Sequence, residues 1–213
     1  MDIPKPEYCR QLCDQYAVPI TVRKHLEKVR DVGEVLADGL IKAGVTLDSA
    51  LIEAGCLIHD AFKAASLEKL TPVPQFNYKP SERELEMHRQ LRAKYTGIHE
   101  TLVAADIVRP EFPEFADFVA NIGSTGNPTY FNEDLTWAKE LQVVHYADWR
   151  VQWDQIVSFD DRLEYLKKTY LGINHPDKGE SWWTEALNKE KALEIWIFKH
   201  LNFQPDELAS RLK

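Results

Sequence analysis

The chain has 213 residues, 44% of them hydrophobic and 28% charged, and a formal net charge of −8. That composition suits one globular domain able to bury a sizeable core. Its acidity, with a pI of about 5.4, argues against broad binding to nucleic-acid polymers or anionic membranes, which needs a basic footprint.

The opening Met1-Asp2-Ile3-Pro4-Lys5-Pro6 is polar, so a secretory leader is not expected, and no apolar run approaches the length of a membrane span. A first short helix is predicted over about 5–15. Cys9 and Cys13 fall at i, i+4 on it, but no second thiol pair accompanies them to complete a zinc site. With Cys56 they are too few for a disulfide scaffold, and a reducing cytoplasm is the expected setting.

A long helix follows from about 20 to 43, with Val22, Leu26, Val29, Val32, Leu36 and Leu40 on one face and Gly44 at its exit. The next covers about 47–65. Residues 66–80 break the pattern with Pro72, Pro74 and Pro80, and carry Phe76 and Tyr78. A loop of that length invites a functional role, with the two aromatic rings as stacking surfaces. Helices are then expected at about 81–94, 97–108 and 111–122. A second loop over about 123–133 leads to a helix from about 134 to 156. Ser158 caps another that ends near Gly172, Trp182, Trp183 and Trp196 mark a further one, and Gln204-Pro205 starts a last short one. Period-2 alternation is missing throughout, so the fold class is all-α.

Three apolar stretches of these helices are interrupted by polar residues. His25 lies between Val22 and Val29; His59-Asp60 follow the apolar run Ala54–Ile58; Asp148 sits in the stripe Leu141, Val144, Asp148, Val151. A buried polar side chain without a partner costs about 1–3 kcal/mol, and an unpaired charge costs more. A lone histidine on an apolar face is commonly a satisfied core residue, and a bare His-Asp pair is weak evidence. The series carries more weight: His, then His-Asp with Lys63 three residues on, then a distant Asp. Three helices would each project donors to one interior point, as metal-binding bundles do. Two imidazoles and two carboxylates suit one divalent transition metal (Mn, Fe, Co, Ni or Zn). On helical spacing Gly55, at i−4 from His59, would leave room for the imidazole, and Lys63 would share the His59-Asp60 side to meet a phosphate.

In these residues the chain resembles the HD-domain superfamily of metal-dependent phosphohydrolases, whose signature is H…HD…D. The resemblance spans about 20–171 and is strongest in Thr21–His25, Ala54–Lys63, Tyr95–Glu100 and Tyr146–Val151; Ile156–Leu163 looks like the segment after the last aspartate in small bacterial stand-alone members. It implies a single HD-domain helical bundle over 1–213, with an added C-terminal helical segment from about 172. It also implies that His25, His59, Asp60 and Asp148 are metal ligands and that Lys63 contacts phosphate. Dinuclear relatives carry two further histidines. His99 fits the first and is the candidate for a second metal, but the sequence reads Gly123 where the other is sought, which favours one ion over two.

The expected activity is hydrolysis of a small phosphate ester, a nucleotide by family analogy. Asp60, Lys63 and Glu100 are the catalytic candidates, and Arg23 and Arg150 join Lys63 as candidates for substrate binding. The alternatives are a di-iron oxygenase of the same superfamily and a non-catalytic nucleotide- or metal-binding module. The tryptophans near the C-terminus are expected in core or homodimer packing. Outside the signature, His88 reads as an exposed helix residue, His145 as packed or supporting a ligand, and His175 and His200 as surface residues.

Overall fold

A computed structural model of the chain describes residues 1–122, 137–170 and 180–212. The fold is mainly helical: α1 (Pro6–Gln15), α2 (Ile20–Lys42), α3 (Ser49–Ile58), α4 (Glu82–Tyr95), α5 (Glu100–Val108), α6 (Pro113–Ala120), α7 (Ala138–Trp149), α8 (Phe159–Tyr170), α9 (Glu180–Phe198) and α10 (Leu208–Arg211). Among the described helices none is long and apolar enough to cross a membrane.

Helix α2 is the spine. Its buried face, Leu26, Val29, Val32, Leu36 and Leu40, repeats at the helical period and packs on α3 and α7. Asp48 caps α3, accepting from the amides of Ala50 and Leu51 at 3.1 Å each. The first turn of α2 is tied to α1 through Arg23, which donates to the Val18 and Cys13 carbonyls at 2.7 and 2.6 Å and pairs with Asp14. Arg23 thereby ties the end of α1, where the Cys13 carbonyl also accepts from the Val18 amide, to the start of α2.

Gly55 sets how closely α3 approaches α6 and α7. A Cβ there would meet Phe118 Cε1 at 2.8 Å and Val144 Cγ2 at 3.2 Å. The space beside Gly55 is thus taken by neighbouring helices and not by the His59 imidazole, as helical spacing had suggested. Gly55→Ala is expected to lower stability by about 1–3 kcal/mol through overpacking. A melting temperature equal to the parent's would show that the helices part at no cost.

Two boundaries differ from the sequence reading. The helix expected to run to 65 ends at Ile58 and continues through turns at 59–62 into a 3-10 turn at Lys63–Ala65. The helix expected to reach 156 ends at Trp149, followed by an antiparallel hairpin of β1 (Val151–Gln152) and β2 (Gln155–Ile156). Its turn starts at Trp153, whose φ of +59° lies where glycine is usual. The loop after α3 is drawn together by a bridge between Val73 and Tyr78, with Asn77 in the left-handed region.

His88 is a correction. It is buried and its Nε2 lies 3.0 Å from the Leu67 carbonyl, which also accepts from Arg92, so it fastens the loop to α4. His145 is buried against Glu190 of α9 at 2.6 Å. His200 is half-buried, with Nδ1 2.8 Å from the Trp196 carbonyl, and Trp196 packs on the core. His175, Gly123, the predicted loop at 123–133 and the side chains of Trp182 and Trp183 lie outside the described residues.

Candidate metal centre

Three helix ends meet at one point beneath the hairpin. His25 lies in the second turn of α2, His59 caps the C-terminus of α3, and Asp148 is in the last turn of α7. One donor atom from each lies within 4.8 Å of the other two. Asp148 Oδ1 is the hub, 3.0 Å from His25 Nε2 and 3.6 Å from His59 Nε2.

The far nitrogens fix what these near ones present. His25 Nδ1 is 2.9 Å from the Trp153 carbonyl, and His59 Nδ1 is 2.9 Å from the Cys56 carbonyl. A carbonyl only accepts, so both Nδ1 atoms donate, and in the neutral ring both Nε2 atoms carry lone pairs towards Asp148. Lone pairs facing a carboxylate repel unless a positive charge stands between them. His59 Nε2 is buried without a hydrogen-bond partner among the described residues. This donor set and its unsatisfied atom fit a divalent transition metal, which would be held by His25, His59 and Asp148.

Without a metal, protons must do this work. Burial disfavours a charged His59, but Asp60 and Asp148 outweigh it and raise its pKa above 6.5. Burial opposes ionisation of Asp148 too, and its bond to His25 overrides this, leaving the carboxyl well below the usual range. Asp60 is likewise desolvated, yet Lys63 and His59 pull it down to about 2.

The pH dependence of the metal-free protein follows. A raised histidine contributes stability that is complete below about 6.5 and lost as pH climbs through the raised value. A depressed carboxylate contributes stability that is present above 3.8 and lost as pH falls towards about 2. Chelated protein should therefore melt highest between about pH 4 and 6.5 and lose stability on the alkaline side. Metal-loaded protein should not show that alkaline loss, because the cation replaces the proton. Thermal melts with and without chelator from about pH 6 to 9 check this; a chelated protein that gains stability across that range would contradict it.

A cavity of about 330 Å³ opens beside the cluster, lined on this side by His25, Asp60, Lys63 and Arg162. The loop after α3 contributes Leu67, Lys69, Leu70, Thr71, Val73 and Tyr78 to its wall, as expected of that segment. Phe76 instead packs at a tilt against Trp153, with ring centroids 5.8 Å apart, beneath the Lys24 ammonium.

The remaining candidates divide. Asp60 stands at the margin of the donor cluster, its Oδ2 3.9 Å from His25 Nε2 and 2.5 Å from Lys63 Nζ. The early end of α3 places the pair there, rather than the continuous helix assumed from the sequence. His99 is not grouped with the three donors; it is the N-cap residue of α5, bonded to Thr101. Glu100 accepts from Ser66 Oγ at 2.8 Å and does not line the cavity. Arg23 is occupied at the end of α1. Arg150 is buried, donating to the Val157 and Pro205 carbonyls and to Tyr146. Neither arginine is placed to receive a substrate here. Burial raises the Cys9 and Cys13 thiols to about 12 and 11, and neither belongs to the donor group.

Sequence reasoning missed Arg162, whose Nη2 is 3.7 Å from Asp148 Oδ1. It lies in the Ile156–Leu163 run already singled out, one helical turn after the Ser158 cap. Trp153 was missed as well, because it acts through a carbonyl that any residue supplies.

No known family model matches the chain, and neither a curated protein nor a solved structure matches it.

Proposed function

We propose that the protein is a divalent-metal-dependent phosphohydrolase of the HD-domain type, acting on a small phosphate ester such as a nucleotide. The observation that carries this reading is the donor cluster itself: two imidazoles with preset tautomers and one carboxylate, beside a cavity whose wall holds three cationic side chains. When bound there, a divalent cation would supply Lewis acidity, polarising a phosphoryl oxygen and acidifying a water.

The chain's own residues do the rest. His25, His59 and Asp148 would hold the ion, and the Trp153 and Cys56 carbonyls keep the Nε2 lone pairs of the two histidines aimed at it. Lys63 and Lys69 bring positive charge to a phosphate entering the cavity. Asp60 fixes the Lys63 ammonium and accepts a hydrogen bond from water. Held near 2 by Lys63 and His59, it is a poor proton acceptor at neutral pH, so its role is orientation. Tyr78, Trp153 and Tyr165 offer aromatic surface to a planar leaving group.

Release of inorganic phosphate by metal-loaded protein should be measured over a panel of nucleotides and sugar phosphates, with chelated protein as control. Turnover of at least one ester, lost on chelation, is the expected result. Binding of two irons with oxygen consumption would replace this reading with an oxygenase, and nucleotide binding without turnover would replace it with a sensor.

A further inference from the structure

We infer that Arg162 is a substrate-binding residue that receives the phosphoryl oxyanion beside the metal centre. This rests on the phosphohydrolase reading and extends it to a residue that reading did not use.

The guanidinium is nearly buried, with 12% of the side chain exposed, yet it borders the cavity. Its Nη2 stops 3.7 Å from Asp148 Oδ1, beyond hydrogen-bond reach, and its Nε is buried without any hydrogen-bond partner among the described residues. An arginine built as a structural tie looks different. Arg150 and Arg23 have their donors taken up by carbonyls and side chains of their own fold. Arg162 keeps a desolvated donor in reserve, which costs stability unless a ligand completes it.

Charge points the same way. A divalent ion held by Asp148 Oδ1 would share that oxygen's neighbourhood with the Arg162 guanidinium, so two cations would repel across one carboxylate. An anion lying between them removes the conflict. Among the described residues lining the cavity, Lys63, Lys69 and Arg162 face one carboxylate, Asp60, although the whole chain has a net charge of −8. The ligand that suits these groups is a phosphate monoester dianion. One oxygen would lie toward the metal and others toward the guanidinium fork, whose planar geometry matches adjacent phosphate oxygens.

The test compares wild type, Arg162→Gln and Arg162→Lys in the full chain. The readouts are metal stoichiometry, the Kd of the metal-loaded protein for inorganic phosphate, and kcat and KM for phosphate release. Arg162→Gln should weaken phosphate binding and raise KM by about 10- to 100-fold, with metal stoichiometry unchanged. Arg162→Lys should fall between, because it keeps charge and loses the fork. A Kd and KM within about twofold of wild type would overturn the inference, as would a phosphate defect that follows loss of metal, which would make Arg162 a support for Asp148. If wild type binds phosphate but hydrolyses nothing, a weakened Arg162→Gln would uphold the anion site while the hydrolase reading falls. Wild-type, metal-loaded protein that does not bind phosphate would end both.

Discussion

His59→Ala is expected to abolish tight binding of the divalent metal, taking the ion content from about one per chain to none. The imidazole is almost fully buried, and its Nε2 lacks a hydrogen-bond partner among the described residues. Removal leaves His25 and Asp148, too few donors to compete with water and buffer for the ion. At metal concentrations near 100 times the Kd, wild type gains about 2.7 kcal/mol from binding. The variant should lose that gain, and its melting temperature should no longer respond to added metal, a difference of about 5–10 °C for a chain of this size. Elemental analysis of protein purified without added metal, beside melts with and without chelator, measures both effects. Retention of one ion per chain by the variant would show that the three donors are not the site.

Asp60→Asn is expected to cut the turnover number for phosphate release by about 100-fold or more, with metal still bound. The substitution keeps shape but removes the charge that holds Lys63 Nζ at 2.5 Å. The ammonium then loses its anionic partner, and the water is left with a neutral amide oxygen, a weaker acceptor than the carboxylate. Lys63→Ala tests the same pair from the other side. It should raise KM and lower kcat/KM by about 10- to 100-fold, leaving metal stoichiometry intact because Lys63 is not a donor. Steady-state kinetics with metal analysis on each variant separates these outcomes. Loss of metal from Asp60→Asn would instead make Asp60 a fourth ligand, as the sequence resemblance implies. Unchanged kinetics in both variants would remove the pair from the mechanism.

Much of the site was legible because its residues violate their surroundings. His25, His59 and Asp148 each break an apolar helical stripe, and the cost of burying polar groups made their convergence readable without coordinates. The all-α class was readable from helical periodicity. Local geometry after Ile58 was not, since no proline or glycine marks the end of α3, where His59 Nδ1 bonds back to the Cys56 carbonyl. The hairpin was hidden for a similar reason. Val151-Gln152-Trp153-Asp154-Gln155-Ile156 lacks the Asn-Gly or Asp-Gly signal of a tight turn, and a tryptophan accepts the position. Arg150, a candidate for substrate binding, is the C-cap residue of α7 and is buried against the Val157 and Pro205 carbonyls and Tyr146. Arg162 carried the right chemistry but was eclipsed by the signature residues. His88 was misjudged from its charged sequence neighbours; Arg92, one turn on, shares its face and its acceptor, the Leu67 carbonyl.

Both imidazoles are aimed by main-chain oxygens, those of Trp153 and Cys56, rather than by side chains. A mutation at either position changes a side chain and leaves the acceptor in place. The aiming device is therefore insulated from point mutation: a substitution at 56 or 153 that leaves the backbone in place also leaves the donors their tautomers. Backbone displacement is what can disturb it, so insertions in the hairpin or a shift of α3 by part of a turn should disarm the centre where most single substitutions at these two positions would not.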